Sequence, residues 1–273
     1  MCSLFVINTL YELAPIKERI EMIDFIKGLA EEAGEKLLSY SGELTGDELN
    51  FKNERDLVTA YDKDTEDFLI AGILEKYPDH NIFGEETGKT DKVSEYCWVI
   101  DPIDGTTSFV HGQPFYSISI ALQKNDETIF GLVYAPKLNE MFWAEKGKGA
   151  FRNATPIKVS KRDKLINSVL CTGFACLRAE LPENNLERFC RITPKLRGIR
   201  RFGSAAVDLS FVACGCLEGF WEMNLKPYDV AAGVIILQEA GGVVSDFQGG
   251  ENYPDDGIVA TNGLIAGELL ELM

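Results

Sequence analysis

The sequence predicts a layered fold of mixed α and β elements, rather than a helical bundle or a barrel. Three observations lead there. A long amphipathic stripe opens the chain, short β-rich runs then alternate with helical ones to its end, and 45% of the 273 residues are hydrophobic. That is enough for a large core, in one domain or two tightly joined lobes.

Taken in order, apolar residues recur at Ile16, Ile20, Ile23, Ile26, Ala30, Ala33 and Leu37, steps of three and four that describe one face of a helix. Residues 41–56 are polar and turn-rich, a loop or exposed hairpin. Leu57 to Ala60 leads into a second helix from about Asp62 to Tyr77, which Pro78 ends. A short strand at 81–83, an acidic Gly-Glu-Glu-Thr turn and a strand at 96–100 follow, then β-rich segments at 115–122, 129–135 and 140–144. Pro102 lacks the N–H a ladder needs, so the strand is expected to leave its sheet there.

Beyond residue 150 the pattern gives strands near 156–159 and 168–172, and helices at 183–196 and 204–217. A strand at 219–223 follows, then an apolar helix opened by Asp229 and stopped by Gly241-Gly242. Strands at 243–246 and 258–261 and a final helix close the chain. The resulting expectation is an N-terminal lobe, 1–150, and a C-terminal lobe, 151–273, joined as one unit.

Forty-three acidic against 27 basic residues give a net charge of −16, which argues against general binding to nucleic acid or anionic membranes. The balance is uneven: residues 146–201 hold 14 Lys/Arg and four Asp/Glu, a net of +10. No segment approaches the length of a membrane span and no basic leader precedes an apolar run, so a cytoplasmic protein is expected. Cys2, Cys97, Cys171, Cys176, Cys190, Cys214 and Cys216 sit in apolar runs without zinc-type spacing, and are expected to be buried free thiols. His80 and His111 are the only histidines, so acid–base chemistry must rest mainly on carboxylates, hydroxyls or metal-activated water.

The most informative stretch is Asp101-Pro102-Ile103-Asp104-Gly105-Thr106-Thr107. Two carboxylates at the edge of an apolar strand repel unless a cation lies between them or one is protonated. With the Ile103 carbonyl they offer three hard oxygen ligands suited to Mg²⁺ or Mn²⁺. If Gly105, Thr106 and Thr107 open a helix, their N–H groups form a phosphate seat beside the cations. Taken alone this could be a solvated turn, Glu85 and Glu86 plain surface acids, and Asp229 a helix cap. Their joint occurrence against apolar neighbours argues for phosphoryl chemistry instead.

Gly84-Glu85-Glu86, the Asp101–Thr106 motif with Phe109, and Pro227-Tyr228-Asp229 with Ala231-Ala232-Gly233, at these separations, resemble the inositol monophosphatase family. The match runs from about Asp56 onward and includes Gly203-Ser204-Ala205-Ala206 and Glu222. The resemblance implies an α+β fold, a layered α-β-α-β-α sandwich of two sheets with helices between and outside. It also implies a homodimer that depends on Mg²⁺, two to three ions per site, and is sensitive to lithium. On that pattern Glu85, Asp101 and the Ile103 carbonyl hold one ion, Asp101, Asp104 and Asp229 a second, and Glu85 reaches a third through water. Asp62 and Thr106 orient the attacking water, and Gly105 and Thr106 bind phosphate. Ala205 and Glu222, with Asp104 and Asp229, meet the leaving group.

Ser108 and Tyr228 stand where the family often has asparagine and tryptophan, and Lys52 is a candidate for the family's loop lysine. The implied activity is hydrolysis of myo-inositol monophosphates. Fructose 1,6-bisphosphate, histidinol phosphate and 3′-phosphonucleotides remain alternative substrates. A non-catalytic protein or RNA interaction module remains as a different class, resting on the basic 146–201 segment. Arg197, Arg200 and Arg201 are expected to be structural surface cations, the alternative being that one enters the pocket.

Overall fold

The computed structural model describes residues 16–40, 49–53 and 56–273, with backbone alone for residues 16, 49–53 and 56–59. Helix α1 (Ile16–Tyr40) is followed by the antiparallel pair β1 (Leu49–Asn53) and β2 (Asp56–Thr59), then by α2 (Ala60–Lys76). Next come β3 (Asn81–Gly84), β4 (Gly88–Lys89), β5 (Tyr96–Asp104) and the short helix α3 (Thr106–Val110). An antiparallel run of β6 (Ser117–Lys124), β7 (Glu127–Ala135), β8 (Glu140–Glu145), β9 (Ala150–Arg152) and β10 (Thr155–Ile157) completes the larger sheet, in the order β10-β9-β8-β7-β6-β5-β3-β4.

The second half supplies β11 (Val169–Thr172), α4 (Ala175–Arg178), α5 (Leu186–Ile192), β12 (Gly198–Arg200), α6 (Ala205–Ala213), β13 (Gly219–Glu222), α7 (Pro227–Glu239), β14 (Val243–Ser245), β15 (Ile258–Thr261) and α8 (Ala266–Leu270). Its sheet has the order β12-β11-β13-β15-β14.

Strand alternation explains the layering. On one face of the large sheet Trp98, Ile100, Ile118, Ile120 and Phe130 pack with Ile26, Ala30, Leu37, Leu69 and Ile73 of α1 and α2. On the other, Val99, Ala121, Val133 and Phe142 meet Leu209, Val212, Ile236 and Leu237 of α6 and α7, which also touch Cys171, Phe220 and Ala260 of the small sheet. The outer face of that sheet buries Leu170, Trp221 and Val259 against Ile192 and Leu269 of α5 and α8. The result is the α-β-α-β-α sandwich, with α7 apolar almost all round because it is covered on both sides. Each fully buried large side chain, such as Trp98 or Phe220, stabilises the fold by about 1.5–3 kcal/mol.

Several sequence expectations need correction. Strand β5 does not stop at Pro102. It runs on to Asp104, with Asp101 opposite Ser119 and Asp104 opposite Ser117, so three steps on β5 face two on β6. A bulge of this kind accommodates the missing proline N–H without ending the strand. The expected 183–196 helix is shorter and finishes in a 3₁₀ turn at 193–195, where Pro194 interrupts the α pattern. Helix α6 stops at Ala213, and residues 214–217 form a turn. Short elements α4 and β12 have too few residues to give a periodic signal.

Cys171 and Cys176 are buried as expected, whereas Cys97 and Cys214 are half-buried and Cys190 and Cys216 are exposed. Cys2 lies outside the described residues. Among the described residues no helix is long and apolar enough to cross a membrane.

Candidate active site

The bulge at Pro102 turns the end of β5 so that Asp101 and Asp104 both lie at the rim of the large sheet, 1% and 8% exposed. Asp229 arrives from the other direction, in the first turn of α7, where its carboxylate accepts the Lys226 N–H at 2.5 Å. Oxygens of Asp101, Asp104 and Asp229 lie within 4.8 Å of one another. This is the convergence that the spacing of the two motifs, 125 residues apart between Asp104 and Asp229, leaves the fold to deliver.

Three carboxylates so placed cannot all ionise at ordinary cost. Burial pushes Asp101 well above the usual carboxylate range, and the charges of Glu85, Asp104, Asp229 and Asp62 push it further. Asp229 is likewise raised, first by burial and then by Asp104, with the Lys226 N–H opposing. Burial pushes Asp104 up to about 6. Hydrogen bonds from Ser204 Oγ at 2.5 Å, Ala206 N at 2.7 Å and Ala205 N at 3.3 Å hold it below that of its neighbours. Crowded acidic oxygens, fixed by such donors and only partly offset by the charge of Arg178, are a donor set that fits a hard divalent cation.

The remaining sequence candidates gather around this cluster to different degrees. Glu85, Ile103, Gly105, Thr106, Ala205 and Glu222 line the same cavity, of about 250 Å³. Asp62 stands behind it: Thr106 Oγ1 lies 3.2 Å from both Asp62 Oδ1 and the Ile103 carbonyl, and donates to one or the other. Asp62 and Glu85 are outside the 4.8 Å group of carboxylate oxygens, though their charges are felt by Asp101. Lys52 lies on β1, and its side chain is outside the described part. Of the two departures from the family pattern, Ser108 Oγ donates to the Phe202 carbonyl at 3.3 Å, and Tyr228 sits edge-on to Phe83 while also lining the cavity.

At the far side of the cavity Glu222 is 7% exposed, accepts the Ala175 N–H at 3.0 Å, and is pushed up to about 7 by burial. Glycine at the position beside it leaves room for that carboxylate. A Cβ on Gly173 would come within 2.0 Å of the Glu222 carboxylate.

Sequence reading missed three contributors. Glu66, fully buried on α2 one turn after Asp62, accepts the N–H groups of Glu86 and Thr87 at 3.0 and 2.7 Å and so pins the loop that presents Glu85. The i, i+4 spacing from Asp62 was the available signal. Arg178 on α4 and Lys226 also line the cavity. Arg201 lines it too, contrary to the structural role expected for it. Arg197 lines a different cavity, and Arg200 is exposed with its guanidinium on the Ile199 carbonyl. The charges of Arg178 and Arg201 both act on Glu222.

A buried carboxylate cluster suited to a cation, ringed by hydroxyl, amide and arginine groups at the meeting of two sheets, defines the site of a phosphoric monoester hydrolase. Comparison with known proteins agrees. The family model described as the inositol monophosphatase family matches residues 18–273, and the chain belongs to that family. It is 36% identical over 255 residues to the inositol-1-monophosphatase of Mesorhizobium japonicum, covering 93% of this chain and 96% of that one. It is 39% identical over 246 residues to a putative Nus factor SuhB of Neisseria meningitidis serogroup B, covering 89% and 94%. The solved inositol monophosphatase from Anabaena (Nostoc) superposes with a TM-score of 0.83 at 40% identity, over 93% of this chain and 96% of that one.

Proposed function

We propose that this protein hydrolyses myo-inositol monophosphates to inositol and phosphate in a reaction that depends on Mg²⁺, with Mn²⁺ as a substitute. The observation behind the reading is the convergence of Asp101, Asp104 and Asp229, three carboxylates whose own chemistry asks for a cation.

Glu85, Asp101 and the Ile103 carbonyl would hold one ion, Asp101, Asp104 and Asp229 a second, and Glu85 a third through water. When bound, such ions supply positive charge for the phosphoryl oxygens and lower the pKa of water. The chain's own groups do the rest. Asp62, with Thr106 Oγ1 3.2 Å from its carboxylate, fixes the position of the attacking water and accepts its proton at a carboxylate oxygen. Gly105 and Thr106 present backbone N–H groups to the phosphate. Asp104, Asp229, the Ala205 backbone and Glu222 face the leaving group, where carboxylate acceptors suit the hydroxyls of a neutral polyol. A homodimer in the cytoplasm belongs to the same reading, by family resemblance. Release of inorganic phosphate from inositol 1-phosphate, with and without Mg²⁺, tests it.

Arg178, Arg201 and Lys226 favour a second reading, in which the leaving group bears another phosphate, as in fructose 1,6-bisphosphate. Comparing kcat/KM for the two substrates separates these. The SuhB names of some relatives raise a role in protein or RNA contacts. Against a bare cationic surface, Lys146, Arg152, Arg162 and Arg188 of the basic segment pair with Glu127, Glu140, Glu218 and Glu183.

A further inference from the structure

The turn joining α6 to β13 holds two thiols that phosphate ester hydrolysis does not use. Cys214 caps α6, Gly215 follows with φ +74°, and Cys216 leads on toward β13. Only glycine fits between them. The φ is left-handed, and a Cβ would meet the backbone of Ser160 at 3.1 Å and of Lys158 at 3.2 Å. The turn is fixed from within, since Cys216 N and Leu217 N both donate to the Phe211 carbonyl, at 3.0 and 3.1 Å. This geometry directs both side chains to the same place, and Cys214 Sγ lies 3.3 Å from Cys216 Sγ.

The two sulfurs differ in character. Cys216 is exposed and lines a cavity of about 460 Å³ together with Arg162, Arg197 and Glu218, so a small solute can reach it. Cys214 is half-buried against the core. Donation from the Cys214 S–H holds the Cys216 thiol down to about 6, and Arg152 on β9 adds to this, while burial and the carboxylates Glu140 and Glu218 oppose. The Cys214 thiol is pushed up, mainly because it is the donor in that pair. An exposed thiol of lowered pKa thus stands 3.3 Å from a half-buried one, the arrangement that redox-sensitive cysteines require.

We propose that Cys214 and Cys216 form an oxidisable dithiol, a modification site that closes to an intramolecular disulfide on reaction with a hydroperoxide. The Cys216 thiolate attacks one peroxide oxygen. The S–O bond forms, the O–O bond breaks, and the departing hydroxide takes up a proton as water. Cys216 becomes a sulfenic acid, oxidised by two electrons. The Cys214 sulfur then attacks the Cys216 sulfur, the S–S bond forms, the S–O bond breaks, and the Cys214 proton leaves with the hydroxyl as a second water. Two thiols and one hydrogen peroxide give one disulfide and two waters.

The test is mass spectrometry of the full chain exposed to hydrogen peroxide, blocked with N-ethylmaleimide and digested with trypsin. Cleavage after Arg201 gives a peptide from Phe202 to Met273, because Lys226 precedes Pro227, and Cys214 and Cys216 are its only cysteines. The peptide should lose about 2 Da and escape blocking, and dithiothreitol should restore both thiols. Cys214→Ser should trap a sulfenic acid at Cys216 that reacts with dimedone. Cys216→Ser should slow oxidation of this peptide by at least about tenfold, with circular dichroism reporting that both variants are folded. If the peptide keeps two blockable thiols under peroxide that oxidises the exposed Cys190, the proposal fails. It fails equally if Cys216→Ser leaves the oxidation rate unchanged.

Discussion

Asp104→Asn should change the stability of the metal-free protein in a way that depends on pH. In the folded chain Asp104 is raised from 3.8 to about 6 by burial, whereas in the unfolded chain it returns to its ordinary value. Between those two values the folded state binds the proton more tightly. The native state is therefore favoured below the unfolded pKa and loses that advantage as pH rises through the folded one. At about 1.4 kcal/mol per pKa unit, the full loss is roughly 3 kcal/mol, of which about 2 kcal/mol falls between pH 4.5 and 7.5. Asparagine does not titrate, so the stability of the variant relative to wild type should rise by that amount over the interval. Relief of Asp101 and Asp229, whose charges press on the same space, acts in the same direction. The fixed cost of presenting an amide to Ser204, Ala205 and Ala206 cancels between the two pH values. Urea denaturation in EDTA at both pH values measures the difference, and millimolar Mg²⁺ should then restore the advantage of wild type. A difference that does not vary with pH would mean that Asp104 ionises as freely in the fold as outside it. The reasoning about a charge-strained cluster would then be wrong.

Three further outcomes follow from the geometry. Glu66→Gln leaves one carbonyl oxygen to serve two N–H groups and removes the charge, so it should cost about 1–2 kcal/mol in urea midpoint measurements and weaken apparent Mg²⁺ affinity, with kcat at saturating Mg²⁺ affected far less. Li⁺ should inhibit phosphate release uncompetitively at millimolar levels, and an insensitive enzyme would remove the support that lithium gives to the inositol branch. Arg201→Ala should alter kcat/KM for inositol 1-phosphate and fructose 1,6-bisphosphate alike. A loss confined to the bisphosphate would move the enzyme to the second substrate reading.

The parts of the site that could be read from sequence are those where the local pattern already encodes the surroundings. Asp101 and Asp104 follow an apolar strand, and Asp229 opens an apolar helix, so their burial was legible before their convergence was. That sheets and helices lie in layers followed from the same logic of strand runs and amphipathic helices, whereas the five-layer sandwich came from family resemblance alone. What escaped depends on distant chain. Glu66 looks like one more helix acid until its partners, the amides of Glu86 and Thr87, arrive from 20 residues away. Arg178 sits on a four-residue helix that leaves no periodic trace. Pro102 was read by its missing donor alone, and the bulge that excuses a proline is set by register with β6 rather than by the strand itself. Cys216 appears apolar in sequence, yet the left-handed Gly215 turns it outward.

The central claim, hydrolysis of a phosphate monoester with a cation held by Asp101, Asp104 and Asp229, is tested most directly by inorganic phosphate release from myo-inositol 1-phosphate. Wild type, Asp104→Asn, Asp229→Asn and Glu86→Gln would be assayed in Mg²⁺ and in EDTA, after circular dichroism has shown each to be folded. The account predicts turnover in Mg²⁺ that EDTA abolishes, a loss of at least about 100-fold in each aspartate variant, and a far milder effect of Glu86→Gln. Phosphate release that persists in EDTA, or aspartate variants within about tenfold of wild type, would contradict it.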